Sequence, residues 1–113
     1  MSHPNHLGAQ RKRWKLSKAE LAQLLGYRHQ SAVHRAEKDI RPATIKFALG
    51  CEIVFGKAAR ELFPTFFADI EDAIMRRAAK FDEKLRGSRA KSAARKRDLL
   101  QSMAERAGNR PRA

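Results

Sequence analysis

The sequence predicts an all-α chain, and three observations carry that expectation. Apolar residues return every third or fourth position along most of its 113 residues, the spacing of an amphipathic helix. Sustained period-two alternation is absent, and no Asn-Gly or Asp-Gly pair sits between apolar runs, so strands and hairpins have no signal. Residues that start and stop helices punctuate the apolar runs at the right places. A chain of this length holds one compact domain and an appendage.

Taken in order, Leu7–Lys15 reads as a short basic helix. Ser17 is placed to cap a second helix, with Glu20 three residues on as in a capping box. Leu21, Leu24 and Leu25 fall on one face of it, Ala22 is small, and Gly26 ends it because glycine takes positive φ most cheaply. Tyr27–Gln30 is a polar turn, and a third helix begins near Ser31, whose hydroxyl is expected to cap it. Val33, Ala36 and Ile40 lie along its buried side. Pro42, Ala43 and Thr44 restart the chain into a fourth helix through Phe55, where Ile45, Ala48, Leu49, Glu52 and Ile53 share three-to-four spacing. Gly56 closes it, Lys57–Phe63 makes a short fifth helix, and Pro64 suits the first position of the next.

Residues 65–86 read as a long amphipathic helix. Its stripe is Phe66, Phe67, Ile70, Ile74, Ala78, Phe81 and Leu85. Gly87 and Ser88 break it. The remainder, 89–113, is a basic tail in which Leu99, Leu100, Met103 and Ala107 give only a weak helical pattern, so partial disorder is expected. The expected organisation is therefore a folded domain over 1–64, the amphipathic helix over 65–86 and the tail over 87–113.

The formal net charge of +13 is unevenly spread. Residues 1–41 carry nine Lys/Arg against three acids, 42–86 eight against seven, and 87–113 eight against two. Two basic ends flank a near-neutral middle, a field that draws polyanions within about a Debye length. No apolar run approaches the length of a membrane span. A single cysteine, Cys51, allows no intrachain disulfide and suits a reducing cytoplasm. On its apolar helix it reads as a small core residue. His3, which with His6 stands in a start expected to fray, and the pair His29 and His34 have no thiol or carboxylate set around them for zinc. Neither a nucleophile elbow, a phosphate loop nor paired catalytic carboxylates stand out, so no enzyme, cofactor or metal is expected.

The run Leu16-Ser17-Lys18-Ala19-Glu20-Leu21-Ala22-Gln23-Leu24-Leu25-Gly26, followed by Gln30-Ser31-Ala32-Val33-His34-Arg35-Ala36-Glu37, resembles the Cro/C1-type (XRE) helix-turn-helix family. The likeness extends through Arg41-Pro42 to Gly56 and Glu61-Leu62-Phe63-Pro64, roughly half of the chain. Each matching position also has a physical reason: Ala22 lets two helices cross closely, Gly26 reverses the chain, and Leu25 and Val33 set the angle from beneath. Two departures stand out. The turn Tyr27–Gln30 is one residue longer than in most members, and Lys18 stands where many relatives carry glutamine.

The resemblance implies a five-helix lambda-repressor-like domain that binds double-stranded DNA with its third helix in the major groove. Gln30 matches a position whose amide pairs with adenine, and Arg35 one that suits guanine. Ser31, Ala32 and His34 are secondary base contacts, while Lys18, Arg28, His29, Lys38 and Arg41 are placed for phosphates. Arg11 and Glu37 match a pair that bridges the first helix to the end of the third. The expected function is transcription regulation in the cytoplasm. The 65–86 stripe either packs back on its own domain or pairs with a second copy, and a homodimer would set two reading helices about one DNA turn apart. Two other functions fit the same residues: an antitoxin whose C-terminal region holds a protein partner, and a basic RNA-binding or ribosome-associated protein.

Overall fold

The computed structural model describes residues 4–39 and 44–110. These form α1 (Leu7–Arg13), α2 (Lys18–Leu25), α3 (Ser31–Glu37), α4 (Ile45–Phe55), α5 (Ala59–Leu62), α6 (Pro64–Arg86) and α7 (Lys91–Asn109), with no strand among them. No helix among the described residues is long and apolar enough to cross a membrane. The chain divides after Phe67 into two compact units. The expected positions of Ile40, Pro42 and Ala43 lie outside the described residues.

In the first unit, local chemistry sets the helix ends. Ser17 Oγ accepts from Glu20 N at 3.0 Å while Glu20 Oε1 accepts from Ser17 N at 2.8 Å, a complete capping box. The hydrogen bond from the Ser17 backbone holds the Glu20 carboxyl below the usual carboxylate range. Gly26 takes φ 86°, and Tyr27 N donates to Ala22 O at 2.8 Å, closing α2 as a left-handed cap. Thr44 Oγ1 caps α4 by accepting from Phe47 N, and Gly56 ends that helix at φ 67°. Glu52 Oε1 reaches out of α4 to accept from Ala59 N, so one helix caps the next. The Pro64 start of α6 is as expected.

Several expectations need correction. The first helix stops at Arg13, because Lys15 turns left-handed at φ 59° and the Leu16 amide bonds back to Arg11 O. The start of the chain is tied down at His6, whose N–H donates to Leu62 O at 2.8 Å. Asn5 bridges there as well, accepting from Leu7 N and donating to Ala36 O at 2.9 Å. Ser31 does not cap α3; it is the first helical residue, behind Gln30, and neither side chain bonds as a cap. The fifth helix is only Ala59–Leu62.

The core of this unit is Leu7, Leu21, Ala22, Leu25, Val33, Ala36, Phe47, Cys51, Phe55, Leu62 and Phe63. Leu16, Tyr27, Ala32, Val54 and Phe66 pack against it. A large side chain fully buried in this way contributes about 1.5–3 kcal/mol. Leu24 is exposed, so α2 buries only Leu21, Ala22 and Leu25. In α4 the expected stripe is on the wrong side: Phe47, Cys51 and Phe55 are buried, while Ile45, Leu49 and Ile53 face solvent. The physical reason is that α4 is apolar around most of its circumference, so periodicity offers two faces and the larger aromatic pair fills the core. Close approach of α2 to α4 also needs Gly50, where an added Cβ would come within 2.7 Å of Leu25 Cδ2.

Beneath this packing lies one ion pair. Arg11 Nε donates to Glu37 Oε2 at 2.6 Å and Nη2 to Oε1 at 3.2 Å, with both side chains 9% exposed. Arg11 Nη1 donates to Leu16 O at 2.9 Å. The hydrogen bond with Glu37 raises the guanidinium above its ordinary value. Gly8 leaves room for the carboxylate, since a Cβ there would sit 3.1 Å from Glu37 Oε1.

The second unit pairs α7 with α6 from Ala68 onward. Arg97 Nε donates to Asp82 Oδ1 at 2.9 Å, and Arg110 pairs with Glu71. Moving forward along α7 thus moves backward along α6: the helices run antiparallel. Ala78, Leu85 and Ala93 are buried in this hairpin. The hydrogen bond from Arg97, with Arg86 adding charge, holds the Asp82 carboxyl below its usual range. The tail expected to be partly disordered is therefore a 19-residue helix as far as Asn109. Its run of Ala, Lys, Arg, Leu, Gln and Met favours helix intrinsically, and acids on α6 meet its charge.

Removing one partner of the buried pair should be costly. Arg11→Met or Glu37→Leu is expected to lower stability by about 3–5 kcal/mol, read as a shift in urea midpoint by circular dichroism. The double variant should lose clearly less than the sum of the two. Burial, with the Glu37 charge adding to it, pushes the Cys51 thiol up to about 12. Native Cys51 should therefore resist thiol reagents at pH 8 and react only on unfolding. An ordinary thiol in the unfolded chain releases its proton first, so this group lowers stability as pH rises from the usual thiol range towards 12. Cys51→Ala should remove that part of the alkaline loss.

Candidate nucleic-acid interface

The surface to weigh is the outer side of α3 with the turn before it. Val33 and Ala36 turn inward, and Ala32 is half-buried against the core. With 3.6 residues per turn, the opposite side of the helix carries Ser31, His34, Arg35 and Lys38. Ser31, His34 and Lys38 are exposed, and Arg35 is half-exposed. Gln30 stands exposed at the head of the helix, and Arg28 and His29 are exposed on the turn. The structure thus brings nine of the ten expected contact residues to α3, its preceding turn and the adjoining start of α2. Arg41 lies outside the described residues. Ala32 belongs to the flank of α3 and not to its outer row.

This face is held from behind and at its C-terminal end. The bond from Asn5 to Ala36 O and the pair from Arg11 to Glu37 both fasten the last turn of α3 to the start of the chain. The core residues Val33 and Ala36 fix its rotation. A helix of seven residues is too short to persist alone, so these ties set the direction its side chains take.

Lys18 comes to the same surface from the first position of α2, where the capping box fixes it. Its Nζ lies 3.0 Å from His34 Nδ1. An ammonium has only donors, so the contact is a hydrogen bond in the tautomer whose Nδ1 accepts. Sequence reading placed both residues at the interface, but not as a pair, because their separation of sixteen positions leaves no local signal.

Tyr27, from whose sequence position only a turn role is expected, also packs. Its ring packs 5.9 Å from that of Phe47, with Lys46 Nζ 5.0 Å from the tyrosine ring centre. That contact adds a cation beside the turn. Trp14 is a further missed feature, an exposed aromatic with Arg13 6.0 Å from its ring. Chemically, the face offers donors, cations and one amide, with no nucleophile and base held together.

Of the stripe expected to support dimerisation, Phe66 packs on the first unit's core, and Ala78 and Leu85 are buried in the hairpin. Phe67 is half-buried, while Ile70, Ile74 and Phe81 remain more than two-fifths exposed. Compared with protein-family models, with curated proteins and with solved structures, the chain matches none.

Proposed function

We propose that this protein is a sequence-specific double-stranded DNA-binding regulator of transcription, of the Cro/C1 helix-turn-helix type, that reads the major groove with α3. The observation that carries the reading is the outer row Ser31, His34, Arg35 and Lys38 on a helix whose back and end are pinned to the core. A rigid short helix bearing polar side chains fits the groove, which admits one helix. The surrounding cations and the net charge of +13 support phosphate contact. On this reading Gln30 and Arg35 face base edges, and Lys18, Arg28, His29 and Lys38 grip the backbone. A five-helix module buries little surface on DNA, so two copies on a pseudo-palindromic site complete the proposal, acting in the cytoplasm.

The test is selection of bound duplexes from a random pool, repeated with Arg35→Ala. The intact chain should enrich a symmetric site, and the variant should lose preference at one base position in each half, by about 1–3 kcal/mol. Uniform weakening would instead place Arg35 on phosphate. Binding of structured RNA in preference to duplex at matched salt would overturn the reading. Arg28→Ala should leave the preferred sequence intact and reduce the salt slope of binding by about one unit.

A further inference from the structure

We infer that the closed end of the α6–α7 hairpin is a second nucleic-acid contact, one that holds phosphate without reading sequence. The starting observation is a charge polarity along the hairpin. Asp82 meets Arg97 and Glu71 meets Arg110, so residues 76–97 are gathered at the end where the chain reverses. That stretch holds ten Lys/Arg against two acids, whereas residues 68–75 hold three acids and no Lys/Arg. All ten cations are exposed. Of the two acids, Asp82 is already engaged by Arg86 and Arg97. The excess of positive charge at this end is far more than its own carboxylates can balance.

The way the cations are spread points to the partner. Buried Ala78, Leu85 and Ala93 mark the inward sides of the two helices, and each residue turns by about 100°. Arg86 and Arg97 lie with Asp82 on one broad face of the pair. Lys84 and Arg95 turn towards the other broad face, and Lys80 and Lys91 stand on the two outer sides. Cations on every side of one end suit a partner that meets that end as a whole. A flat anionic lipid surface touches one side at a time. A duplex carries one charge per about 1.7 Å of its axis, dense enough to engage several sides together. Two helices side by side are about 20 Å across, wider than the roughly 12 Å major groove. The end therefore bridges the groove from one phosphate wall to the other and stays off the base edges, which makes the contact blind to sequence.

The inference rests on the DNA reading for the choice of duplex, but none of its residues belongs to α3, so the two can fail separately. The test is titration of the full chain against a mixed-sequence DNA duplex and an RNA duplex of equal length, between about 50 and 200 mM salt. Lys80→Gln, Lys84→Gln, Lys91→Gln and Arg95→Gln together should flatten the salt slope on DNA by about three to four units. Affinity at the low-salt end should fall roughly a hundredfold or more. Glutamine keeps the helical preference of these exposed positions, so circular dichroism and melting temperature should not change. The control removes the same charge from exposed positions of the first unit, with Lys12→Gln, Arg13→Gln, Lys57→Gln and Arg60→Gln. It should move the slope by no more than about one unit.

A hairpin variant whose slope is unchanged, or changes no more than the control's, overturns the inference. So does hairpin-dependent binding to vesicles of phosphatidylserine and phosphatidylcholine that exceeds binding to either duplex at matched salt, because the contact would then be with a membrane. Loss on the RNA duplex alone supports a phosphate contact at this end and removes its tie to the DNA reading. A flattened slope in a chain that enriches no sequence from a random pool likewise keeps the inference and removes base reading by α3.

Discussion

The first unit depends on one buried ion pair. Arg11 and Glu37 are each nearly excluded from water, and isolated burial of either charge would be far costlier than the pair returns. Three hydrogen bonds from the guanidinium, two to the carboxylate and one to Leu16 O, make the arrangement tolerable. Such a pair adds little net stability over apolar residues of the same volume. What it supplies is uniqueness: α1, the turn after it and the end of α3 must all be in place before either charge is satisfied. Gly8 is part of the same device, since any side chain there would press on the carboxylate. Cys51 senses it too, as the Glu37 charge adds to burial in keeping the thiol protonated.

Much of this was legible because its causes are local or carry an unmistakable residue type. The capping box at Ser17 and Glu20, the left-handed Gly26 and Gly56 and the proline that opens α6 are each decided within a few residues of chain. Arg11 with Glu37 was legible only through family resemblance, since nothing in a separation of 26 positions announces a contact. The rotation of α4 was not legible at all. Ile45, Leu49 and Ile53 make as good a stripe as Phe47, Cys51 and Phe55. The choice is made in three dimensions, where Phe47 lies against Tyr27 and Gly50 opens a path for Leu25. In α7 the basic charge concealed a good helix, because the acids that balance it, Asp82 and Glu71, stand on α6.

The candidate interface divides along the same line. Its membership follows from the resemblance, laid over the start of α2, a polar turn and α3. Its internal wiring does not. Lys18 and His34 meet only because α2 and α3 are held at one angle, which brings Nζ within 3.0 Å of Nδ1. Under the proposed function, the substitution of lysine for the glutamine usual at that position changes what the site does. The lysine's charge serves phosphate, and its hydrogen bond orients a ring that a glutamine could hold in either tautomer.

The two outward faces of this unit are then different in kind. The row on α3 is polar, short and fixed from behind, while the row on α4 is aliphatic and symmetric in its own sequence. A small domain has little surface to spare, and water penalises an aliphatic row that nothing covers. If two copies meet weakly on DNA, a site with two halves strengthens both contacts at once, because binding of the first copy raises the effective concentration of the second. Association and reading then become linked equilibria: dimer strength need only be sufficient on DNA, and a strong dimer in solution would weaken that linkage. The buried pair beneath α3 is what allows it, since coupling is useful only when each copy presents its reading face at a fixed angle.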